Sequence, residues 1–157
     1  MEFLDREDAG RRLASELEPL RAQRPLVVAL PRGGVPVALE VARALGAPLE
    51  VLAPRIARDR DAGRSIPVDG RTVIVVDDGL ASVRADLAAV RALRERGAGY
   101  IVVAVPVGST DAVSMLAEQA DRVICLEVPP RLFGVDMMYR DLVSVADGPA
   151  LSPPGRM

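Results

Sequence analysis

Two short segments concentrate the residue types able to do chemistry. Val73 to Leu80 (VIVVDDGL) places two adjacent carboxylates, Asp77 and Asp78, at the end of an apolar, β-branched run. Neighbouring like charges repel, and they are best tolerated where water, a cation or sugar hydroxyls take up their lone pairs. A carboxylate pair can chelate vicinal hydroxyls, while the amides of the following loop and helix start point toward an anion about a sugar's width away. That arrangement suits a sugar phosphate. The same two acids could instead only cap the turn and solvate the sheet edge. Leu30 to Val37 (LPRGGVPV) is the second segment. Gly33 and Gly34 would let backbone amides approach an anion closely, and Arg32 offers a guanidinium fork to paired phosphate oxygens. A tight turn with no ligand uses glycine equally well.

The absent residue types exclude whole mechanisms. The 157 residues contain no His, Lys, Trp or Asn, so all 20 basic residues are arginine. A Ser/His or Cys/His nucleophile pair needs an imidazole, a Schiff base or phosphate-loop lysine needs an amine, and a Cys/His zinc site needs several soft ligands. Carboxylates, guanidinium groups, hydroxyls, backbone amides and an oxygen-bound hard cation such as magnesium remain, a set suited to phosphorylated ligands. A phosphotransfer receiver on a similar sheet would require a lysine this chain lacks. Cys125 has no partner for an intramolecular bridge. The formal charge of −2, with both signs interspersed, exerts no general pull toward nucleic acid or an anionic membrane. The charged start MEFLDREDAGRR lacks a secretory apolar stretch, and no run approaches the roughly 18 apolar residues of a membrane span, so a cytoplasmic location is expected.

The elements that must position the two segments follow from apolar periodicity, which switches repeatedly between helical spacing and short β-branched runs. That alternation predicts an α/β fold, three-layered and doubly wound, on a mainly parallel five-stranded sheet. Helices are expected over Arg11 to Arg21, Val37 to Leu45 (closed by Gly46), Arg84 to Arg96 and Asp111 to Gln119 (capped by Asp111). Strands are expected over Leu26 to Leu30, Leu49 to Leu52, Thr72 to Val76, Tyr100 to Val105 and Arg122 to Leu126. Arg55 to Gly70 carries four arginines and three aspartates and reads as an exposed, mobile connection. A single domain over 1–150 with a disordered tail over 151–157 is expected. In an open parallel sheet the ligand lies beyond the carboxyl ends of the strands, where the strand order reverses. The loops PRGG and DDGLASVR both belong to that edge.

Taken together, these loops and the runs around them resemble the type I phosphoribosyltransferase family, and more narrowly a bacterial branch with the signature LPRGGVPVA. The segments FLDREDAGRRLASEL, LPRGGVPVALEVARALGAPLEV, GRTVIVVDDGLA, VVAVPVGSTDAV and FGVDMMYRDL carry the likeness over most of the chain. The resemblance implies a phosphoribosyl diphosphate or nucleotide ligand, magnesium, and transfer of phosphoribosyl to a nitrogen acceptor with release of diphosphate. It implies that Arg32, Gly33 and Gly34 hold diphosphate. It gives Asp77 and Asp78 the ribose hydroxyls, and the metal if they hold one. Gly79, Ala81, Ser82, Val83, Arg84 and Ala85 fall to the loop around the 5′-phosphate. A small C-terminal hood over about 129–147, around Phe133 to Asp141, would cover the acceptor.

Two departures from the family pattern temper these expectations. The phosphate loop of the family reads DDGxATGAT, whereas here Ser82 replaces the first Thr, Val83 the Gly and Ala85 the second Thr. A β-branched residue forced to positive φ would cost about 1–3 kcal/mol, so the loop is expected to take another shape. Arg84 either adds phosphate charge or is an exposed helix residue. The connection between the second and third strands is also shorter than in relatives, which would weaken a lid; Arg58, Arg60 and Arg64 are its candidate cations. An alternative function is therefore a catalytically inactive regulatory or interaction protein that keeps the fold. Apolar surface left uncovered by the short connection suggests a homodimer.

Overall fold

A computed structural model describes residues 3–31, 33–52, 66–80, 82–130, 132 and 134–139. Helix α1 (Arg6–Leu17) starts earlier than the leucine spacing suggested, because Asp5 caps it by accepting the Asp8 amide at 2.7 Å. It gives way to a 3-10 turn, Glu18–Gln23, before Pro25. Then follow β1 (Leu26–Ala29), α2 (Gly34–Leu45), β2 (Leu49–Val51), β3 (Thr72–Val76) and α3 (Arg84–Glu95). The described chain continues through β4 (Tyr100–Val107), α4 (Thr110–Ala117), β5 (Arg122–Glu127) and a second 3-10 turn, Val135–Met138. Ser109, not Asp111, caps α4 by accepting the Ala112 amide at 3.2 Å. Two hydroxyl residues precede Asp111, and the helix begins one residue earlier than the acid.

The five strands form one parallel sheet in the order β2-β1-β3-β4-β5. Alternate residues feed two cores, as a sheet covered on both faces requires. Val28, Val73, Val75, Ile101 and Val103 pack toward the face that buries Ala89, Val90 and Leu93 of α3 and Leu116 of α4. Val27, Ala29, Ile74, Val76 and Val102 pack toward Leu13 and Leu17 of α1 and Val37 and Val41 of α2. A third, smaller cluster joins Phe3 and Ala9 to Tyr139, so the start of the chain and the hood turn support one another.

Part of the expected exposed connection is folded. Val68 is buried, the Ile66 amide donates to Glu50 Oε1 at 3.0 Å, and Asp69 pairs with Ala98. The remainder of that connection, with Arg58, Arg60 and Arg64, lies outside the described residues, as do the tail and the hood beyond 139.

Candidate functional site

Strand order reverses between β1 and β3, whose residues pair from Leu26↔Val73 to Ala29↔Val76. The loops leaving these two strands therefore emerge side by side at the carboxyl edge, the position where parallel sheets take ligands. After β1 the chain turns at once into α2: the Leu30 amide donates to the Val76 carbonyl at 3.0 Å, and the Gly34 amide to the Leu30 carbonyl at 3.0 Å. Gly34 must be small because a Cβ there would stand 2.7 Å from the Val76 carbonyl oxygen. Gly33 has ordinary right-handed backbone, φ −64°, but a Cβ on it would run into the Asp78 carboxylate. The glycine pair thus fits two loops together, whatever it does for a ligand. Arg32 and Ala81 lie outside the described residues.

Asp78 is held at both its side chain and its backbone. Arg6 donates to its Oδ2 from Nε at 2.9 Å and from Nη2 at 2.8 Å, and both side chains are largely buried, 9% and 15% exposed. The Arg6 guanidinium lies 4.8 Å from the centre of the Tyr139 ring, within cation–π range. Tyr139 in turn donates its hydroxyl to the Asp78 carbonyl at 2.8 Å. The Phe3 amide donates to the Met138 carbonyl at 2.8 Å, and the Phe3 and Tyr139 ring centres are 5.8 Å apart. Gly79 leaves room for this closure, since a Cβ there would stand 2.7 Å from Val135.

Asp77 turns the other way, toward Asp86 in the first turn of α3. It accepts the Asp78 amide at 2.8 Å and faces Asp86, which is 1% exposed. Neither Asp86 oxygen has a donor among the described residues. Burial, reinforced by the charges of Asp86 and Asp78, pushes Asp77 up to about 10, while burial pushes Asp86 up to about 6. The two acids hold a proton between them at neutral pH, which supplies the donor that the buried oxygens otherwise lack. The DD pair is therefore two different groups: a carboxylate neutralised by Arg6, and an acid that shares its proton with Asp86.

The start of α3 forms the remaining wall. Ser82, Arg84 and Ala85 are exposed, and Gly79 is buried. Val83, 8% exposed, precedes the helix with φ −97° and ψ 0° and packs into the core. This backbone is open to any L residue, so Val83 carries no left-handed strain.

Asp77 and Asp78 do not fit a protein-held magnesium ion as they stand. One is neutralised by a guanidinium and the other keeps a proton, and among the described residues no group of three or more Asp, Glu, His or Cys gathers to hold a metal. Sequence reading missed Arg6 and Asp86, although each has a readable signal. Asp86 shares a helical stripe with the buried Ala89, Val90 and Leu93, and Arg6 with the buried Ala9, Gly10 and Leu13. A charge at the first position of an otherwise apolar stripe marks a buried ion looking for a partner.

Residues 2–140 match the phosphoribosyl transferase domain family. A Mycobacterium tuberculosis protein provisionally named a phosphoribosyl transferase is 34% identical, the match covering 92% of this chain and 44% of that protein. The chain thus spans under half the length of this curated relative. The crystal structure of TT1426 from Thermus thermophilus superposes with a TM-score of 0.78 at 33% identity, over 96% of this chain and 97% of that one. M. tuberculosis orotate phosphoribosyltransferase, crystallised with inorganic phosphate, superposes with a TM-score of 0.59 at 26% identity, over 78% and 70% of the two chains. No helix of the described residues is long and apolar enough to cross a membrane. With the family match spanning almost all the described residues, the chain belongs to the phosphoribosyl transferase domain family.

Proposed function

We propose that this chain binds a phosphoribosyl ligand, phosphoribosyl diphosphate or a nucleotide, in the mouth between β1 and β3. In its active form it transfers phosphoribosyl to a nitrogen acceptor and releases diphosphate. The observation that carries this reading is the meeting of the PRGG and DDGLASVR loops at the one reversal of strand order. Gly33 and Gly34, with Arg32 beside them, take the diphosphate. Gly79, Ala81, Ser82, Val83, Arg84 and Ala85 surround the 5′-phosphate with main-chain amides at the start of α3, where the helix dipole favours an anion. Asp78 accepts from one ribose hydroxyl while Arg6 holds its carboxylate in place. Asp77, its proton shared with Asp86, accepts from another. Magnesium, which supplies charge neutralisation when bound, comes with the diphosphate oxygens of the ligand rather than from the two aspartates.

The narrower branch marked by LPRGGVPVA, the altered phosphate loop and the shortened connection belong to the same proposal. The last is supported by an alignment that needs 200 positions to match 92% of the 157 residues, so the relative carries extra residues within the matched span. A homodimer in the cytoplasm completes the proposal; light scattering that finds only monomer at micromolar concentration contradicts the dimer.

A second reading, a regulatory or interaction protein without turnover, is favoured by Val83 packed into the core and by the internal partners of both acids. Calorimetric titration with phosphoribosyl diphosphate and magnesium tests the leading reading. Saturable binding lost in an Asp77→Asn, Asp78→Asn double variant supports it, and unchanged affinity in that variant removes it. Val83→Gly with Ala85→Thr then separates the two readings: a gain of diphosphate release identifies a site that has lost catalysis, while no gain favours the regulatory reading.

A further inference from the structure

Away from the mouth, at the amino ends of β1 and β3, positive charge gathers around a second cavity. It measures about 390 Å³ and is lined by Arg21, Arg24, Pro25, Leu45, Gly46 and Arg71 among others. Arg24 leads into β1 and Arg71 into β3, so the cavity lies at the opposite end of these strands from the PRGG and DDG loops. Arg71 donates from Nη2 to the Arg24 carbonyl at 3.3 Å, which draws the two cationic residues together. Arg21 Nη2 reaches to 3.9 Å from where a Cβ on Gly46 would stand. Glu18 stands 3.7 Å from Arg21, and that pair is more than half exposed on both sides, so water screens it. Neither Arg24 nor Arg71 has a carboxylate partner among the described residues.

The backbone of Arg24 is a second, independent observation. At φ 52° and ψ 58° it is the one non-glycine residue with positive φ among those described; Gly46, Gly70 and Gly97 take the other such positions. Its amide closes the 3-10 turn by donating to the Arg21 carbonyl at 3.1 Å, a task glycine performs without strain. What arginine adds there is a guanidinium at the cavity rim. An unfavourable backbone kept for its side chain points to a function of that side chain.

We propose that this cavity is a second anion site, separate from the mouth, which takes a diphosphate group either free or borne on a nucleoside. Three guanidinium forks offer paired donors to phosphate oxygens and balance the charge of about −3 that a diphosphate carries near neutral pH. The volume falls in the range of about 300–1,000 Å³ typical of small-molecule sites. Pro25 and Leu45 provide an apolar wall for the uncharged part of a nucleoside.

Amide chemical shifts of the full chain, titrated with inorganic diphosphate and separately with ADP at about 150 mM salt without magnesium, test the proposal. Gly46, Ala47 and Arg71 are expected to shift saturably, half-maximally below about 1 mM. Arg24→Gln and Arg71→Gln are each expected to weaken that response by about tenfold or more. Arg24→Gly gives a sharper test: it raises Tm without ligand, because the left-handed backbone is relieved, yet weakens the response as the glutamine variant does. Shifts at Gly33 and Gly34 report separately on the mouth. Tighter binding of ADP identifies a nucleoside-borne diphosphate, and equal or weaker binding a free one. Shifts confined to the mouth, a linear response matched by sulfate, or full binding in Arg24→Gly overturns the proposal.

Discussion

Asp86 is a carboxyl at a position where the rest of α3 buries alanine, valine and leucine, and its cost depends on pH. In the unfolded chain it and Asp77 ionise near pH 4, whereas in the folded protein both are raised, Asp77 to about 10 and Asp86 to about 6. The folded state therefore binds more protons between these limits, and stability falls as pH rises from about 4 toward 10. Asp86→Asn keeps the shape, donates to Asp77 and removes one buried ionisation. Thermal melts are expected to show this variant gaining about 1–3 kcal/mol over the parent at pH 8 and much less at pH 5. Equal gains at both pH values would contradict the shared proton. Gly33 is a second residue whose role is narrow. Its backbone tolerates any side chain, so Gly33→Ala should destabilise by about 1–3 kcal/mol only through collision with the Asp78 carboxylate. Denaturant titration in an Asp78→Ser background is expected to show a smaller loss, the mark of direct coupling.

At the scale of elements, the first residues of the chain and the turn Val135–Met138 with Tyr139 pack together beside the DDG loop. Phe3 lies against Tyr139, Tyr139 lies over Arg6, and the Tyr139 hydroxyl reaches the Asp78 backbone. Tyr139→Phe keeps the ring and removes one hydrogen bond, so urea unfolding should register a loss of about 0.5–1.5 kcal/mol; no loss would mean the hydroxyl does not tie the hood to the loop. Most element positions were legible because burial enforces period: TVIVV is continuous because β3 is covered on both faces, and Gly46 ends α2 in the left-handed cap its residue type implies. The start of α1 was not legible from its leucines, since its first turn buries Arg6 and Ala9 and is fixed by the Asp5 cap. The cap of α4 was misplaced for a related reason: Ser109 and Asp111 both suit the role, and only the path of the chain out of β4 decides between them.

At the scale of the molecule, the order β2-β1-β3-β4-β5 brings the loops after β1 and β3 side by side. Sequence pattern located both loops at the carboxyl edge of the sheet, because a parallel sheet dictates where chains leave it. It did not reveal what the carboxyls touch. Arg6 reaches Asp78 across 72 residues of sequence, and periodicity carries no information about such a contact. The central claim is that this crevice accepts a phosphoribosyl group despite the internal partners of its acids. A crystal soaked with a nucleoside 5′-monophosphate measures this most directly. The account predicts density for the phosphate at the main-chain amides of residues 82–85, with the ribose hydroxyls against Asp77 and Asp78. An empty crevice at saturating nucleotide, with the Asp78 carboxylate still held by Arg6 as before, would contradict it.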